Sequence, residues 1–189
     1  MIHGLHDLRG GFDVEADVVI IGSGAGGAVA ALNLAEAGMR VVVLEAGPQV
    51  RTEDMTRDGP AFLAKYYWEG GQRILLGSGT WPAMSGRCLG GSTVVNSAIL
   101  FALPDWVREA WIAEEGLESL RSPELDAAFT RVLTRLKVAP TPREAWGRRN
   151  ALTYDVLKEA GLDAKPLPRA VQGCKGSGDC LTGCGSGAK

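Results

Sequence analysis

Residues 17–28 read Asp-Val-Val-Ile-Ile-Gly-Ser-Gly-Ala-Gly-Gly-Ala, a β-branched run that breaks into glycine where small and apolar residues at helical spacing begin. Val18 to Ile21 have the unbroken apolar character of a strand buried on both faces, and residues 28–37 that of a helix packed on it. Gly22, Gly24 and Gly27 between them fit G-x-G-x-x-G. The first glycine permits a tight turn, the second lets backbone approach a diphosphate, and the third lets helix lie close on strand. The helix start adds unpaired N–H groups and the positive end of its dipole.

The chain has 26 glycines, so the spacing alone says little, and its surroundings decide the reading. Gly38 closes the helix, residues 39–44 make a second apolar strand, and Glu45 ends that strand 23 positions after Gly22. An acid at that place accepts hydrogen bonds from a ribose hydroxyl pair. Strand, glycines, helix, second strand and terminal acid agree on a dinucleotide-binding βαβ unit.

The 20 basic and 22 acidic side chains nearly balance, and no basic cluster is interleaved with aromatics, which argues against nucleic acid as a partner. No apolar stretch approaches the ~20 residues of a membrane span. The first residues carry acids and two histidines where a signal peptide has a basic start and an apolar centre, so a cytoplasmic location is expected. Residues 1–16 read as a polar, partly disordered lead-in. His3 and His6 lie in it with Gly4 between them and no further ligand near, and read as exposed side chains.

After Glu45, Ala46-Gly47-Pro48 signals a turn and a polar segment runs through Asp58-Gly59-Pro60. Residues 62–68 suggest a short helix and 72–76 a strand, with a plain turn at Gly77-Ser78-Gly79. The next informative stretch, residues 85–96, reads Ser-Gly-Arg-Cys-Leu-Gly-Gly-Ser-Thr-Val-Val-Asn, where paired glycines require backbone to come close to something. Taken with the first turn, it suggests a long cofactor held at its diphosphate by residues 22–27 and farther along by residues 86–96.

Three helices follow in the expectation. Asp105 caps one that carries Trp106, Val107, Ala110 and Trp111 and ends near Gly116. Ser122-Pro123 opens a second, with Leu125, Phe129, Val132 and Leu136 on one face. Thr141-Pro142-Arg143-Glu144 is a capping box for a third, which ends at Gly161. From Gly173 the chain is rich in glycine and holds Cys174, Cys180 and Cys184. Three thiols at these spacings, one short of the usual four, do not match a zinc or iron–sulfur framework, so no metal site is expected.

Ile-Gly-Ser-Gly-Ala-Gly-Gly at 21–27, Val-Leu-Glu-Ala-Gly-Pro at 43–48 and Gly-Arg-Cys-Leu-Gly-Gly-Ser-Thr-Val-Val-Asn at 86–96 resemble the glucose-methanol-choline (GMC) oxidoreductases, FAD enzymes that oxidise alcohols. The resemblance implies an α/β fold with a Rossmann-like, doubly wound but incomplete FAD-binding βαβ portion over residues 17–101. A mainly helical insertion at 102–172 and a Gly/Cys-rich tail at 173–189 follow. It implies that Gly22, Ser23, Gly24, Ala25, Gly26 and Gly27 grip the FAD diphosphate, that Glu45 lies at the adenosine ribose, and that Ala46 beside it also contacts the cofactor. Gly86, Arg87, Gly90, Gly91, Ser92 and Asn96 would lie at the flavin end. The family has an aromatic four residues after the asparagine, whereas here Leu100 fills that place and Phe101 follows. Asn96, Ser97 and Ala98 therefore stay open as the residue facing the flavin ring.

The family's catalytic histidine pair, or histidine and asparagine, lies near its C-terminal end and has no counterpart among His3 and His6, so no catalytic residue is assigned. The resemblance covers nearly all of this chain but only the first part of a typical member, and it implies hydride transfer from an alcohol to FAD in the parent protein. By itself the chain is expected to be inactive. Two alternatives stand beside this reading: an NAD-binding dehydrogenase portion, and a non-catalytic binding subunit completed by a partner chain that supplies the missing C-terminal part.

Overall fold

The computed structural model describes every residue except Phe12 and Thr56, and of Leu5 the backbone alone. Those two lie in the lead-in and in the polar segment before Asp58, so the expectations for them fall outside the described residues. The chain divides into two units, Met1–Asn96 with Asp179–Gly185, and Ser97–Gly178 with Ser186–Lys189.

The first unit begins with a 3₁₀ turn at Leu5–Leu8 inside the lead-in, then β1 (Val18–Ile21), α1 (Ala25–Glu36) and β2 (Val41–Leu44). The strands pair in parallel from Val18 opposite Val41 to Ile21 opposite Leu44. This is the expected βαβ unit, with α1 starting three residues earlier than the apolar spacing suggests. Glycine is a poor helix former, and the early start places Gly26 and Gly27 inside the first turn. Gly38, at φ +85, turns the chain out of the helix and donates its N–H to Ala35 O at 3.0 Å. At the outer end of the pair, the Arg40 side chain grips the Asp17 carboxylate at 2.9 Å. The apolar strands are not fully covered: Ile21 is 88% and Leu44 54% exposed.

The core of this unit lies farther along the chain. Asp58 caps α2 (Gly59–Tyr66) by accepting from the Ala61 N–H at 3.1 Å, so Asp58-Gly59-Pro60 begins a helix rather than continuing the loop. Phe62, Tyr66 and Tyr67 are buried with Cys88 and Val95, and the Phe62 and Tyr66 rings stand 4.8 Å apart. After a 3₁₀ segment at Trp68–Gly71 come β3 (Ile74–Leu76) and β4 (Thr80–Pro82), an antiparallel hairpin turning at residues 77–79. The α3 turn (Ser92–Val95) ends the second glycine stretch. Residues 179–185 return to this core. The Tyr67 hydroxyl donates to Leu181 O at 2.6 Å, and Gly183 packs on Met55 and Phe62 so closely that a Cβ would stand 2.7 Å from Met55 Cγ.

The second unit holds α4 (Asp105–Glu115), α5 (Pro123–Arg135) and α6 (Arg148–Glu159), with a short antiparallel pair of β5 (Ala139–Pro140) and β6 (Pro168–Arg169). Pro104, not Asp105, is the cap of α4, and Asp105 instead brings its charge to the first turn. Ser122 caps α5 as expected, its oxygen accepting from the Glu124 N–H at 3.2 Å. The capping box at Thr141 does not form. Pro142 leads into a 3₁₀ turn at Arg143–Ala145, the chain straightens at Trp146, and Gly147 becomes the cap of α6. The Trp146 indole N–H donates to Thr141 O at 2.7 Å and its ring stands on Tyr154, which fixes the break.

Candidate cofactor site

Three stretches far apart in sequence meet in the first unit. The glycine turn leaves β1 at Gly22, whose φ of +91 only glycine adopts freely and whose N–H donates to Leu44 O at 2.7 Å. Gly24 caps α1 in extended conformation. The first helical hydrogen bond runs from the Ala28 N–H to Gly24 O at 2.8 Å, so the amides of Ala25, Gly26 and Gly27 precede the ladder. A Cβ on Gly27 would lie 2.0 Å from Gly22 O, which makes this glycine the one that lets helix and strand touch. A Cβ on Gly22, Gly24 or Gly26 would meet no protein atom within 4 Å. The spacing therefore separates one packing glycine, Gly27, from two that face open space, Gly22 and Gly24; Gly26 faces open space as well, beside the amides that precede the ladder.

Glu45 stands at the end of β2, half-buried, and its carboxylate is turned back on the glycine turn. Oε2 accepts from the Ser23 N–H at 3.0 Å and from the Ser23 hydroxyl at 2.6 Å, while Oε1 accepts from the Gly47 N–H at 2.9 Å. Burial pushes the Glu45 carboxyl up, but the Ser23 hydroxyl and the amides of Ser23, Gly47 and Ala46 outweigh it and hold the group below the usual glutamate value. It is ionised at neutral pH. Oε2 already accepts two hydrogen bonds, so the acceptor capacity left for a ribose hydroxyl lies on Oε1.

The second glycine stretch is pressed against both. The Gly90 N–H donates to Ser23 Oγ at 2.8 Å, and the Leu89 N–H to Pro48 O at 3.0 Å. A Cβ on Gly91 would reach Gly24 Cα at 3.1 Å, and one on Gly47 would lie 2.1 Å from Arg87 O. Gly90 and Gly91 are both left-handed, at φ +93 and +57. Gly86 passes so near that its Cβ would fall 2.6 Å from Gly91 O, and its N–H donates to Ser92 Oγ at 3.0 Å. Cys88 is fully buried beneath, with Sγ 3.5 Å from Gly91 O.

Gly22, Ser23, Gly24, Ala25, Gly26, Gly27, Glu45, Ala46, Gly86, Gly90, Gly91 and Ser92 thus share one neighbourhood, Ser92 through its hydroxyl on the Gly86 N–H. The Arg87 guanidinium lies over the Trp68 ring at 5.2 Å, where Arg73 lies at 4.7 Å. Asn96 caps the end of α3 and is exposed. One contributor escaped the sequence reading: Gly47 read as part of a turn, and nothing local signals that its missing Cβ admits residue 87. Ser23 was expected at the diphosphate, and the structure adds that it is 6% exposed and bonds both Glu45 and Gly90.

This geometry fits a dinucleotide: outward amides at a helix start for the diphosphate, an ionised carboxylate at the adjoining strand end for the ribose, and a second glycine loop alongside for what lies beyond. A sequence model of the GMC oxidoreductases matches residues 16–189. The chain belongs to the GMC oxidoreductase family. It is 39% identical over 93% of its length to a GMC-type oxidoreductase of Mycobacterium tuberculosis, and 33% identical over 96% to a long-chain-alcohol oxidase of Arabidopsis thaliana. A GMC-type oxidoreductase of Sinorhizobium fredii is 32% identical over 96% of the chain. The chain covers 28%, 24% and 37% of these three relatives, so it corresponds to a part of their length. As a GMC oxidoreductase it is a flavoprotein sequence, and FAD is the cofactor. Among the described residues no helix is long and apolar enough to cross a membrane.

Proposed function

We propose that this chain is the N-terminal, FAD-binding part of an oxidoreductase that oxidises the CH–OH group of alcohols. The observation that carries it is the convergence of the glycine turn, Glu45 and the second glycine loop around the open side of Gly22, Gly24 and Gly26. In this reading the amides of Ala25, Gly26 and Gly27 bind the diphosphate and Glu45 accepts from the adenosine ribose. The 86–92 loop supports the part of the cofactor toward the flavin. FAD supplies the hydride acceptor when bound. The alcohol as substrate is supported by the long-chain-alcohol oxidases among the relatives, each about a third identical to this chain. The residues that would take the hydroxyl proton are placed in the remainder of the parent protein.

Purifying the full gene product that carries this chain and releasing its ligand by denaturation tests the reading. A yellow supernatant with the two visible absorption bands of a flavin is the expected result. A colourless protein that binds NADH and not FAD would overturn it, because the 86–92 loop has a role for the longer cofactor and none for NAD.

A further inference from the structure

We propose that the Ser23 hydroxyl is a latch that couples the two ends of the cofactor site, so that filling the diphosphate turn orders the Gly90-Gly91 loop. The proposal rests on the reading of the site as a dinucleotide site and adds a positioning residue that the glycine spacing does not specify. A seryl hydroxyl has one proton to give and two lone pairs to offer. Here the proton goes to Glu45 Oε2 at 2.6 Å and a lone pair takes the Gly90 N–H at 2.8 Å. The side chain is 6% exposed, so water competes little for either bond. Alanine would satisfy G-x-G-x-x-G equally well at this place, and would leave the Gly90 amide without its acceptor.

The loop on the other side needs such a tie. Gly90 and Gly91 are consecutive left-handed glycines, the most freely rotating kind of backbone, and the Gly91 Cα side is already packed against Gly24. Ser23 stands between Gly22 and Gly24, so a ligand drawn onto the turn fixes the very residue whose oxygen holds Gly90. Linkage makes the effect reciprocal: a loop held in place by the flavin end of the cofactor holds Ser23, and with it the turn and Glu45.

ADP carries the diphosphate and the adenosine ribose but nothing that reaches the loop, and it is the probe. Hydrogen exchange of peptides covering residues 86–96 is followed in the full gene product, free and saturated with ADP. In the wild type, ADP is expected to slow exchange of this segment by roughly fivefold or more, the worth of about one hydrogen bond. In Ser23→Ala saturated with ADP the slowing is expected to disappear, and Ser23→Thr, which keeps the oxygen, is expected to restore it. Should the alanine variant not fold, Ser23→Cys, similar in size and with only a weakly accepting sulfur, is read in the same way. Equal slowing in wild type and in the variant lacking the oxygen would overturn the latch and leave the cofactor site standing. Failure of the wild type to bind ADP at all would overturn the site, and the latch with it.

Discussion

Gly47→Ala is expected to cost about 3 kcal/mol or more and to release the flavin. Gly47 does not adopt a left-handed φ, so the cost is one of space alone. The new carbon would stand 2.1 Å from Arg87 O, 2.2 Å from Arg87 C and 2.4 Å from Cys88 N, all backbone atoms that no side-chain rotation can clear. To admit it, the 86–92 loop has to withdraw from the end of β2. That movement strains the Leu89 bond to Pro48 and the burial of Cys88. Urea denaturation together with the flavin content of the purified variant measures the effect. Gly59→Ala is the control, since its Cβ would meet only the Thr182 methyl, at 3.7 Å. A loss at Gly47 within about 0.5 kcal/mol, as for an ordinary surface change, would contradict the contact.

Glu45→Ala is expected to weaken FAD retention ten- to a hundredfold and also to lower stability by about 1.5–3 kcal/mol, the worth of hydrogen bonds to a charged group. The second effect follows from the structure. A strand-end acid that faced only a ribose would be silent in the fold, whereas here its removal leaves the Ser23 and Gly47 amides without their acceptor. The pH dependence has a definite sign. Because the folded carboxyl is held below the ordinary glutamate value of 4.5, its contribution is fully present above that value and is lost as pH falls through the lower folded value. Stability of wild type and of Glu45→Gln measured from neutral to acid pH should therefore converge below the ordinary glutamate range. Parallel curves would show that the Glu45 carboxylate carries none of the acid sensitivity.

The βαβ unit was legible because every local signal in it agrees: β-branched residues for the strands, glycines where a side chain would block turn or helix, and an acid at the second strand's end. The parts that were not legible depend on partners distant in the chain. Gly47 has the composition of a turn, and only the fold brings Arg87 against it. Ser23 was placed at the diphosphate by the family motif, but its bond to the Gly90 amide depends on a loop 67 residues away. At helix starts, competing signals misled. Thr141 with Glu144 spells a capping box, but the Trp146 indole takes the Thr141 carbonyl and Gly147 begins the helix instead. Asp58-Gly59-Pro60 reads as a loop because glycine and proline break helices inside, yet both are tolerated in a first turn behind an aspartate cap. The glycine-rich tail carried no periodicity at all, and residues 179–185 are placed by the Tyr67 hydroxyl and the close approach at Gly183.

The central claim is that the open side of the glycine turn holds the FAD diphosphate, and Gly24→Ala tests it most directly. The added methyl meets no protein atom within 4 Å and the residue is not left-handed, so the apo fold should tolerate it, with stability changed by no more than about 1 kcal/mol. The same methyl would stand where a diphosphate approaches the backbone. Titrating the apo form of the full gene product with FAD, wild type beside Gly24→Ala, is expected to show unchanged unfolding and an affinity lower by about a hundredfold or more, a loss of roughly 3 kcal/mol. Equal FAD affinities in two equally stable proteins would contradict the claim.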